Sequence, residues 1–413
     1  MPASLLGCSG HSVPTFQQRK SVQCLNSLLA KQKGLQRKQQ FEAASRRQQR
    51  PLHWARPCRH AARLTVCQAA AASTELSQRQ PQDISVLVVG ATGYIGKFVV
   101  KELIRRGYQV TAFARERSGI KGKNSKEYVI REFEGAQVQF GDITDQASLQ
   151  QNGFAQPVDV VVSCMASRTG GKKDSWEIDY QATLNALEVA QQQGAKHFVL
   201  LSAVCVQKPL LQFQHAKLAF EAKLREATDI THSIVRPTAF FKSLAGQISL
   251  VKTGKPYVMF GDGTLASCKP ISEADLARFM ADCVQQKDKV NQVLPIGGPG
   301  RAWSARDQGQ FLFELAGRKP NFIQVPVALM DGIIGFLDLL SKVFPGLEDA
   351  AEFGRIGRYY ATESMLVWDD KAEKYVADAT PSYGKDTLED FFTKAVKDPD
   401  GLKGQELGDA AVF

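Results

Sequence analysis

A glycine-rich turn with the sequence GATGYIG is the strongest chemical signal in this chain. Its members are Gly90, Ala91, Thr92, Gly93, Tyr94, Ile95 and Gly96. The turn follows an apolar run over residues 84–89 and precedes a segment with the periodicity of an amphipathic helix. A buried strand that leads through a glycine turn into a helix directs backbone N–H groups at an anion. The sequence therefore predicts that a pyrophosphate group binds here.

Basic residues follow the next strand pattern, in the segment FARERSGIKGK. A site for NAD usually has an acid at this place, whereas a site for NADP has cations for the 2′-phosphate. Arg115 and Arg117 can make charge-assisted contacts with that phosphate. Ser118 and Lys121 stand close by, and Glu116 is expected to point elsewhere. We therefore predict NADPH as the cofactor; the alternative is an ordinary solvated loop.

Two further strand ends are expected to contact the same cofactor. Asp142 and Ile143 follow the third strand pattern and are placed to meet the adenine edge. Cys164, Met165 and Ala166 follow the fourth strand pattern and are placed to pack along the cofactor. Ligands of open α/β sheets bind outside the carboxyl ends of the strands, which is where all five residues fall.

These residues can converge only if the strands form one parallel sheet. Apolar, β-branched strand patterns alternate with helical patterns, which is typical of such sheets. The strand patterns cover residues 84–89, 109–114, 136–142, 158–164, 197–203 and 231–237. Three helical patterns lie between them. The first follows the glycine turn and ends at Gly107, and the other two cover residues 176–193 and 213–227. We predict an α/β fold with a doubly wound parallel sheet of the Rossmann type and a smaller C-terminal substrate subdomain.

The first 74 residues differ in composition from the rest. They hold twelve Lys or Arg and one acid, Glu42, without a sustained apolar period. An Arg-rich, acid-poor leader is typical of an organelle transit peptide, which we predict for residues 1–74. A basic tail that binds nucleic acid is the alternative. Of 52 Lys and Arg and 42 Asp and Glu in the chain, 40 and 41 lie beyond residue 74. The near-neutral body is therefore not expected to bind nucleic acid.

Cysteines and histidines give no metal-ligand pattern. The body contains Cys164, Cys205, Cys268 and Cys283, with no CxxC pair, and His197, His215 and His232, which are widely scattered. These spacings predict a reducing compartment and no metal site.

Beyond residue 237 the strand and helix pattern loosens. We predict an NADP-binding core over residues 75–237, a mixed substrate-binding subdomain over 238–382 that returns to the core sheet, and a C-terminal helix with a mobile tail over 383–413. Ser272 is a predicted helix N-cap, with Asp275 completing a capping box. A second helix is predicted to open at Ser304 and to end at Gly317.

Residues 327–344, VALMDGIIGFLDLLSKVF, are apolar around most of a helical circumference. Asp331, Asp338 and Lys342 form one narrow polar stripe. We predict a mostly buried helix, and the alternative is a helix on a membrane surface or against an apolar ligand. The three charges argue against a membrane span.

The GxxGxxG spacing and the landmarks above resemble the short-chain dehydrogenase/reductase superfamily. Its reductases usually carry a serine and a YxxxK pair. Ser202 matches the serine and Lys217 the lysine, but Phe213 in FQHAK stands in the tyrosine position. A phenol there protonates the alkoxide of a reduced carbonyl, and phenylalanine has no proton to give. The resemblance therefore implies a reaction other than ordinary carbonyl reduction.

Within that superfamily, IVRPTAFF and KPISEADLARF resemble the atypical NmrA-like branch. FQHAKLAFEAKL and GGPGRAWSARDQG, together with the glycine turn, resemble chloroplast vinyl reductases of chlorophyll synthesis. This resemblance, from about residue 84 to the C-terminal helix, implies a tetrapyrrole substrate. The implied reaction is NADPH-dependent reduction of the 8-vinyl group of divinyl chlorophyllide or protochlorophyllide. A conjugated vinyl group can accept hydride at its terminal carbon without forming an oxyanion, so the tyrosine is not required.

The catalytic candidates are Lys217, Ser202 and His215. Lys217 is expected to hold the nicotinamide ribose, and the proton is expected to come from Lys217, His215 or water. The plain alternative for Lys217 is a surface lysine paired with Glu221 at i+4.

Two other functions remain open at the level of sequence. The NmrA-like resemblance also fits a nonenzymatic NADP(H)-binding sensor or chloroplast assembly factor, and a phenylpropanoid-type alkene reductase. Contact with a thylakoid or envelope membrane would suit the apolar segment at 327–344.

Overall fold

A computed structural model describes residues 75–119 and 122–398. The predicted transit peptide, Lys121 and the predicted tail after residue 398 lie outside the described residues.

One seven-stranded sheet, parallel throughout, organises the chain. Its order is β3-β2-β1-β4-β5-β6-β9. The strands are β1 Ser85–Val89, β2 Gln109–Ala114, β3 Gln137–Phe140, β4 Val160–Ser163, β5 His197–Leu201, β6 Thr231–Pro237 and β9 Gln292–Ile296. The chain builds outward from β1 to β3, then crosses back to β4 and builds the other way. This reversal between β1 and β4 is the place where ligands bind in such folds, and it confirms the predicted doubly wound sheet.

Helices cover both faces of the sheet because the central strands are apolar on both sides. They are α1 Tyr94–Arg105, α2 Lys126–Glu132, α3 Gln146–Ser148, α4 Lys172–Asp174, α5 Thr183–Gln192, α6 Gln212–Glu226, α7 Ile248–Lys252, α8 Glu273–Asp282, α9 Ala305–Leu315, α10 Val327–Ser341, α11 Glu348–Thr362 and α12 Leu388–Lys397. Val99 of α1 and Met280 of α8 pack on one face of the sheet. Leu187 of α5 and Phe220 of α6 pack on the other.

Three small two-stranded sheets complete the part of the chain that the structure describes. β7 Tyr257–Phe260 pairs in parallel with β11 Phe322–Val325. β8 Ser267–Cys268 pairs antiparallel with β10 Trp303–Ser304, and β12 Val367–Asp369 pairs antiparallel with β13 Lys374–Val376. β9 lies beside β6, so the chain returns to the core sheet after residue 237.

The two predicted helix caps differ in detail. At α9, Ser304 and Asp307 form a complete capping box. At α8, Ser272 caps the N–H of Asp275, but the carboxylate of Asp275 does not return the bond, so that part of the prediction was wrong. Asp275 instead pairs with Arg278 and accepts from the backbone N–H of Lys385 and Asp386. This buried carboxylate therefore secures the segment that leads into the last helix.

Helix α10 and the residues after it are exposed, contrary to the prediction of a mostly buried helix. Only Ile334 is buried within α10. Six large apolar side chains of this segment are between 53% and 70% exposed: Leu329, Ile333, Phe336, Leu339, Val343 and Phe344. Across the residues that the structure covers, no helix has the length and apolar character to cross a bilayer.

The exposure of α10 follows from what its polar stripe contacts. Asp331 pairs with Arg358 of α11, and Asp338 pairs with Arg355 of α11. Gly354 lets α11 come close to Ile334, since a Cβ at Gly354 would lie 3.0 Å from that side chain. The polar side of α10 therefore faces its neighbour, and the apolar side faces outward.

Buried polar side chains at the amino ends of the strands are satisfied by each other. His197 is buried, with Nδ1 2.8 Å from Thr231 Oγ1 and Nε2 3.1 Å from Ser233 Oγ. Burial, assisted by the nearby His232, lowers the pKa of His197 to about 3. The imidazole is therefore neutral in the folded protein across the physiological range.

We expect the free energy of unfolding to fall as the pH drops below about 6.5, because His197 can take a proton only after unfolding. Its contribution is complete above that pH and decreases by about 1.4 kcal/mol per pH unit towards pH 3. Denaturant unfolding of the His197→Gln variant between pH 5 and 7.5 should give a slope smaller by one proton. The exposed-site control His215→Gln should keep the parent slope, and equal slopes for all three proteins would contradict the assignment.

Candidate functional site

The glycine turn connects β1 to α1 at the reversal in strand order. Gly90 has φ of +74°, which favours glycine. A Cβ at Gly90 would lie 2.6 Å from the carbonyl oxygen of Cys164, so a side chain would push β1 and β4 apart. At Gly96 a Cβ would overlap the carbonyl oxygen of Gly90. Both glycines are therefore needed to bring the start of α1 close to the strand ends.

The first turn of α1 is free to bind an anion. Gly93 is the N-cap residue and offers no side chain, while its own N–H donates to the Gly90 carbonyl at 3.0 Å. Ala91 and Ile95 are buried and fix the turn, whereas Thr92 and Gly93 remain accessible. The N–H groups at the start of a helix without a side-chain cap are available to a phosphate. This turn fits a dinucleotide pyrophosphate.

The basic loop after β2 has the arrangement expected for a 2′-phosphate. Arg115 and Arg117 are exposed, and the ion pairs between described residues do not involve either of them. Glu116 pairs with Lys126 at 2.7 Å, so it turns away from the arginines as predicted. Ser118 is buried, and its Oγ lacks a hydrogen-bond partner among the described residues. A pair of backbone hydrogen bonds with Asn124 holds Ser118 in place.

The remaining predicted cofactor contacts lie at the carboxyl ends of β3 and β4. Asp142 is exposed, with Oδ1 accepting from the backbone and hydroxyl of Thr144, and Ile143 beside it is buried. After β4, Cys164 is buried, Met165 is half-buried and Ala166 is exposed. Burial raises the pKa of the Cys164 thiol to about 12, so the thiol stays protonated. Cys164 is therefore an apolar packing residue and not a nucleophile.

Lys217 is buried in helix α6 and is not the surface lysine of the plain alternative. Its Nζ lies 2.9 Å from Asp179 Oδ1 and 3.4 Å from the carbonyl oxygen of Met165. The i+4 pairing with Glu221, which belonged to that alternative, is absent from the ion pairs of the described residues. Lys217 is thus an ammonium held at the carboxyl end of β4, beside a residue predicted to pack along the cofactor.

Glu221 forms a second buried ion pair one turn further along α6. It pairs with Arg236 of β6 and accepts the hydroxyl hydrogen of Ser202 at 2.6 Å. Because that hydrogen is committed to a carboxylate, Ser202 is not placed to give a proton to a substrate. Ser202 serves instead to orient Glu221.

The other candidates on α6 are not brought to Lys217. His215 is exposed, and two residues of α-helix separate it from Lys217 by about 200° around the axis. Phe213, in the tyrosine position, packs half-buried on a small apolar cluster that includes Cys205, Leu211 and Tyr359. Of the three predicted catalytic residues, only Lys217 has a free donor directed by buried groups.

Sequence reasoning missed two acids of the site. Asp179 occupies a core-facing position of the pattern over residues 176–193, and a carboxylate in such a position requires a buried cation. Glu273 accepts from the phenol of Tyr94, and its carboxylate also accepts from the N–H of Lys242. Burial and the neighbouring Glu273 raise the pKa of Tyr94. Tyr94 therefore links the glycine turn to α8, and its phenol is already bonded to Glu273.

The arrangement can bind a phosphorylated dinucleotide and present a cation next to it. The carboxyl edge of the sheet carries an anion-binding turn, a basic loop and one buried ammonium. Of the residues that the structure describes, no group of three or more His, Cys, Asp or Glu could hold a metal ion.

Comparison with known proteins agrees with this geometry. A family model described as NAD(P)H-binding matches residues 90–287. The chain is 61% identical over 341 residues to the "Divinyl chlorophyllide a 8-vinyl-reductase, chloroplastic" of Cucumis sativus, with 81% of each chain covered. It is 59% identical over 348 residues to the protein of the same name from Arabidopsis thaliana, with 82% of each chain covered.

Solved structures share the fold. UDP-glucose 4-epimerase from Thermotoga maritima matches with a TM-score of 0.56 and 18% identity, covering 77% of this chain and 99% of that one. At this identity the likeness concerns the architecture alone.

We expect the double substitution Arg115→Ala/Arg117→Ala to weaken NADPH binding at least about a hundredfold, since two charge-assisted contacts are lost and each costs roughly 1.5 kcal/mol or more. NADH affinity should change little, because NADH has no 2′-phosphate. Dissociation constants from fluorescence titration test this, with the exposed Arg131→Ala as a control of equal charge type. Equal losses for both cofactors would remove the specificity argument.

Proposed function

The chain belongs to the family of divinyl chlorophyllide a 8-vinyl-reductases, and from that premise we propose how its site carries out the reaction. It reduces the 8-vinyl group of divinyl chlorophyllide to ethyl with NADPH, in the chloroplast. The nonenzymatic and phenylpropanoid alternatives are not favoured by this membership. The observation that supports the mechanism is a buried ammonium, Lys217, at the cofactor edge of a site whose tyrosine position is Phe213.

Binding is assigned to two parts of the edge. We assign the pyrophosphate to the N–H groups of the glycine turn, where glycine at positions 90 and 96 permits close approach. We assign the 2′-phosphate to Arg115, Arg117 and the hydroxyl of Ser118, which has no hydrogen-bond partner among the described residues. NADPH, when bound, supplies the hydride that reaches the terminal carbon of the vinyl group.

Lys217 is our choice of proton donor for the inner vinyl carbon. The hydroxyl hydrogen of Ser202 is already donated to Glu221, and His215 lies around the helix from Lys217. In the proposed step, one N–H bond of the ammonium breaks as the C–H bond forms, and the neutral amine regains a proton from water. The reaction forms no oxyanion, so a phenol at position 213 has no role to fill.

The proposed function is tested with the full-length chain, NADPH and divinyl chlorophyllide, following the Soret band as the monovinyl pigment forms. The variant Lys217→Met should lower kcat at least about a hundredfold, which is the lower range for loss of a general acid. Lys223→Met, which removes an exposed lysine of the same helix, should retain the parent rate. NADPH binding without any pigment conversion by the parent chain would favour the nonenzymatic alternative instead.

We further propose that the chain contacts a lipid membrane through the outward face of α10. Its two acids are turned onto Arg355 and Arg358, so the exposed face is apolar apart from Lys342 at its end. An exposed apolar face of this kind is unusual for a surface that meets only water. A tetrapyrrole substrate is itself poorly soluble in water, and a lipid surface would place the enzyme where such a pigment dissolves.

Replacement of Phe336 and Leu339 by serine should lower the partition constant for galactolipid vesicles, measured by co-sedimentation, at least about a hundredfold, because two inserted side chains are lost and each contributes roughly 1.5–3 kcal/mol. The control Ile130→Ser/Leu265→Ser removes exposed apolar side chains elsewhere and should sediment like the parent. The parent chain could instead fail to sediment with vesicles and form a dimer that the Phe336/Leu339 variant abolishes. In that case the outward face of α10 is a contact between two copies of the chain, and the membrane proposal is wrong.

A further inference from the structure

Asp179 is the one charged partner that the described residues give to Lys217. We propose that Asp179 is the positioning residue for Lys217, holding its ammonium at the reacting end of the site; the role rests on the function proposed above. The side chain of Asp179 is buried, so we assign its effect to the lysine that it contacts.

The carboxylate of Asp179 is itself fixed from two sides. Its side chain is 1% exposed. One oxygen lies 2.9 Å from Lys217 Nζ, and the other accepts the backbone N–H of Ser167 at 3.2 Å. Ser167 belongs to the segment that leaves β4, next to the predicted cofactor contact Ala166. The position of Lys217 is therefore tied to the backbone that forms the wall of the cofactor edge.

The number of donors on the ammonium supports a directed role. A lysine ammonium has three N–H groups. Among the described residues, the ammonium donates to the carbonyl oxygen of Met165 at 3.4 Å, and Asp179 Oδ1 lies 2.9 Å from it as an ion-pair partner without hydrogen-bond geometry. N–H groups are therefore left for a ligand, while the ion pair and the bond to Met165 fix the position of the nitrogen.

Asp179 reaches this position from an unusual segment of backbone. Residues Ser175–Ala182 are π-helical and pass directly into α5. A π-helix places more than four residues in a turn and changes the direction of its side chains relative to an α-helix, and such segments are frequent at functional sites. Trp176 and Tyr180 pack together on the same segment, with ring centroids 5.7 Å apart. The segment turns Asp179 towards the core while Trp176 stays at the surface.

The other titratable groups near Lys217 do not replace Asp179. The thiols of Cys164 and Cys205 are buried, and burial raises the pKa of each. Glu221 lies one turn along α6 but is paired with Arg236 and Ser202. His215 is on the same helix and exposed. Asp179 is therefore the group whose removal should release the side chain of Lys217 from its position.

The substitution Asp179→Asn removes the charge and keeps the size and one acceptor for the Ser167 N–H. We expect kcat for pigment reduction by the full-length chain to fall at least tenfold at neutral pH, with KM for NADPH within threefold of the parent. The loss should fall on kcat rather than on KM, because a released ammonium no longer meets the bound pigment in a fixed position. The control Glu177→Gln removes an exposed acid from the same π-helical segment and should leave kcat and KM unchanged.

A purely structural role would behave differently in a double-substitution cycle. If Asp179 acts through Lys217, Asp179→Asn should change the residual rate less than twofold in the Lys217→Met background. The same loss in both backgrounds would overturn the proposal.

A readout without turnover separates this proposal from the proposed function. Crystal structures of the parent and of the two variants report the position of Lys217 Nζ directly. In Asp179→Asn, Nζ should move away from the carbonyl oxygen of Met165, whereas it should stay there in the parent and in Glu177→Gln. This result would stand even if the parent chain failed to reduce the pigment, and an unmoved Nζ would overturn the role of Asp179 even if it succeeded.

Discussion

The close approach of two backbone segments is the constraint on which this structure depends. A Cβ at residue 90 would clash with the carbonyl oxygen of Cys164, and a Cβ at residue 96 would clash with the carbonyl oxygen of residue 90. Without side chains at these two positions, β1, β4 and the start of α1 meet closely enough to make one continuous edge. The anion-binding turn, the wall after β4 and the buried ammonium that contacts that wall are all positioned by this contact.

The chemistry at the edge depends on how two buried charge pairs are divided along α6. Lys217 and Glu221 are one turn apart and of opposite sign, and in isolation they would neutralise each other. Each is instead paired across to another element, Lys217 to Asp179 and Glu221 to Arg236. Burying these charges is favourable only when each has such a partner. As a result, the ammonium of Lys217 lies at the edge of the site. Glu221 lies behind it and accepts the hydroxyl hydrogen of Ser202.

The sequence was sufficient for the sheet and for the position of the glycine turn after β1, because both are governed by local patterns. Apolar strand runs and the glycine turn determine β1 to β6, and two of these strands, at 109–114 and 231–237, were predicted with their observed bounds. The sequence was insufficient for polar side chains that have more than one possible partner, because it does not show which partner lies nearby in the fold. The predicted box partner Asp275 binds a distant segment, and the polar stripe of α10 faces arginines rather than water. Asp179 was not predicted as a site residue because its ion-pair partner, Lys217, lies 38 positions further along the chain in a different helix.

Tyr94 makes the two halves of the chain interdependent. It lies inside the glycine turn, yet its phenol is bonded to Glu273, and its ring is 6.3 Å from that of Phe240. A dinucleotide-binding fragment cut after β6 would keep the turn and lose the acceptor, leaving a buried hydroxyl without a partner. The nucleotide-binding motif of this chain is thus not a transferable module. During divergence, a change at position 94 and a change at position 273 must be accepted together, so the turn and the segment after Ser272 are expected to evolve as a pair.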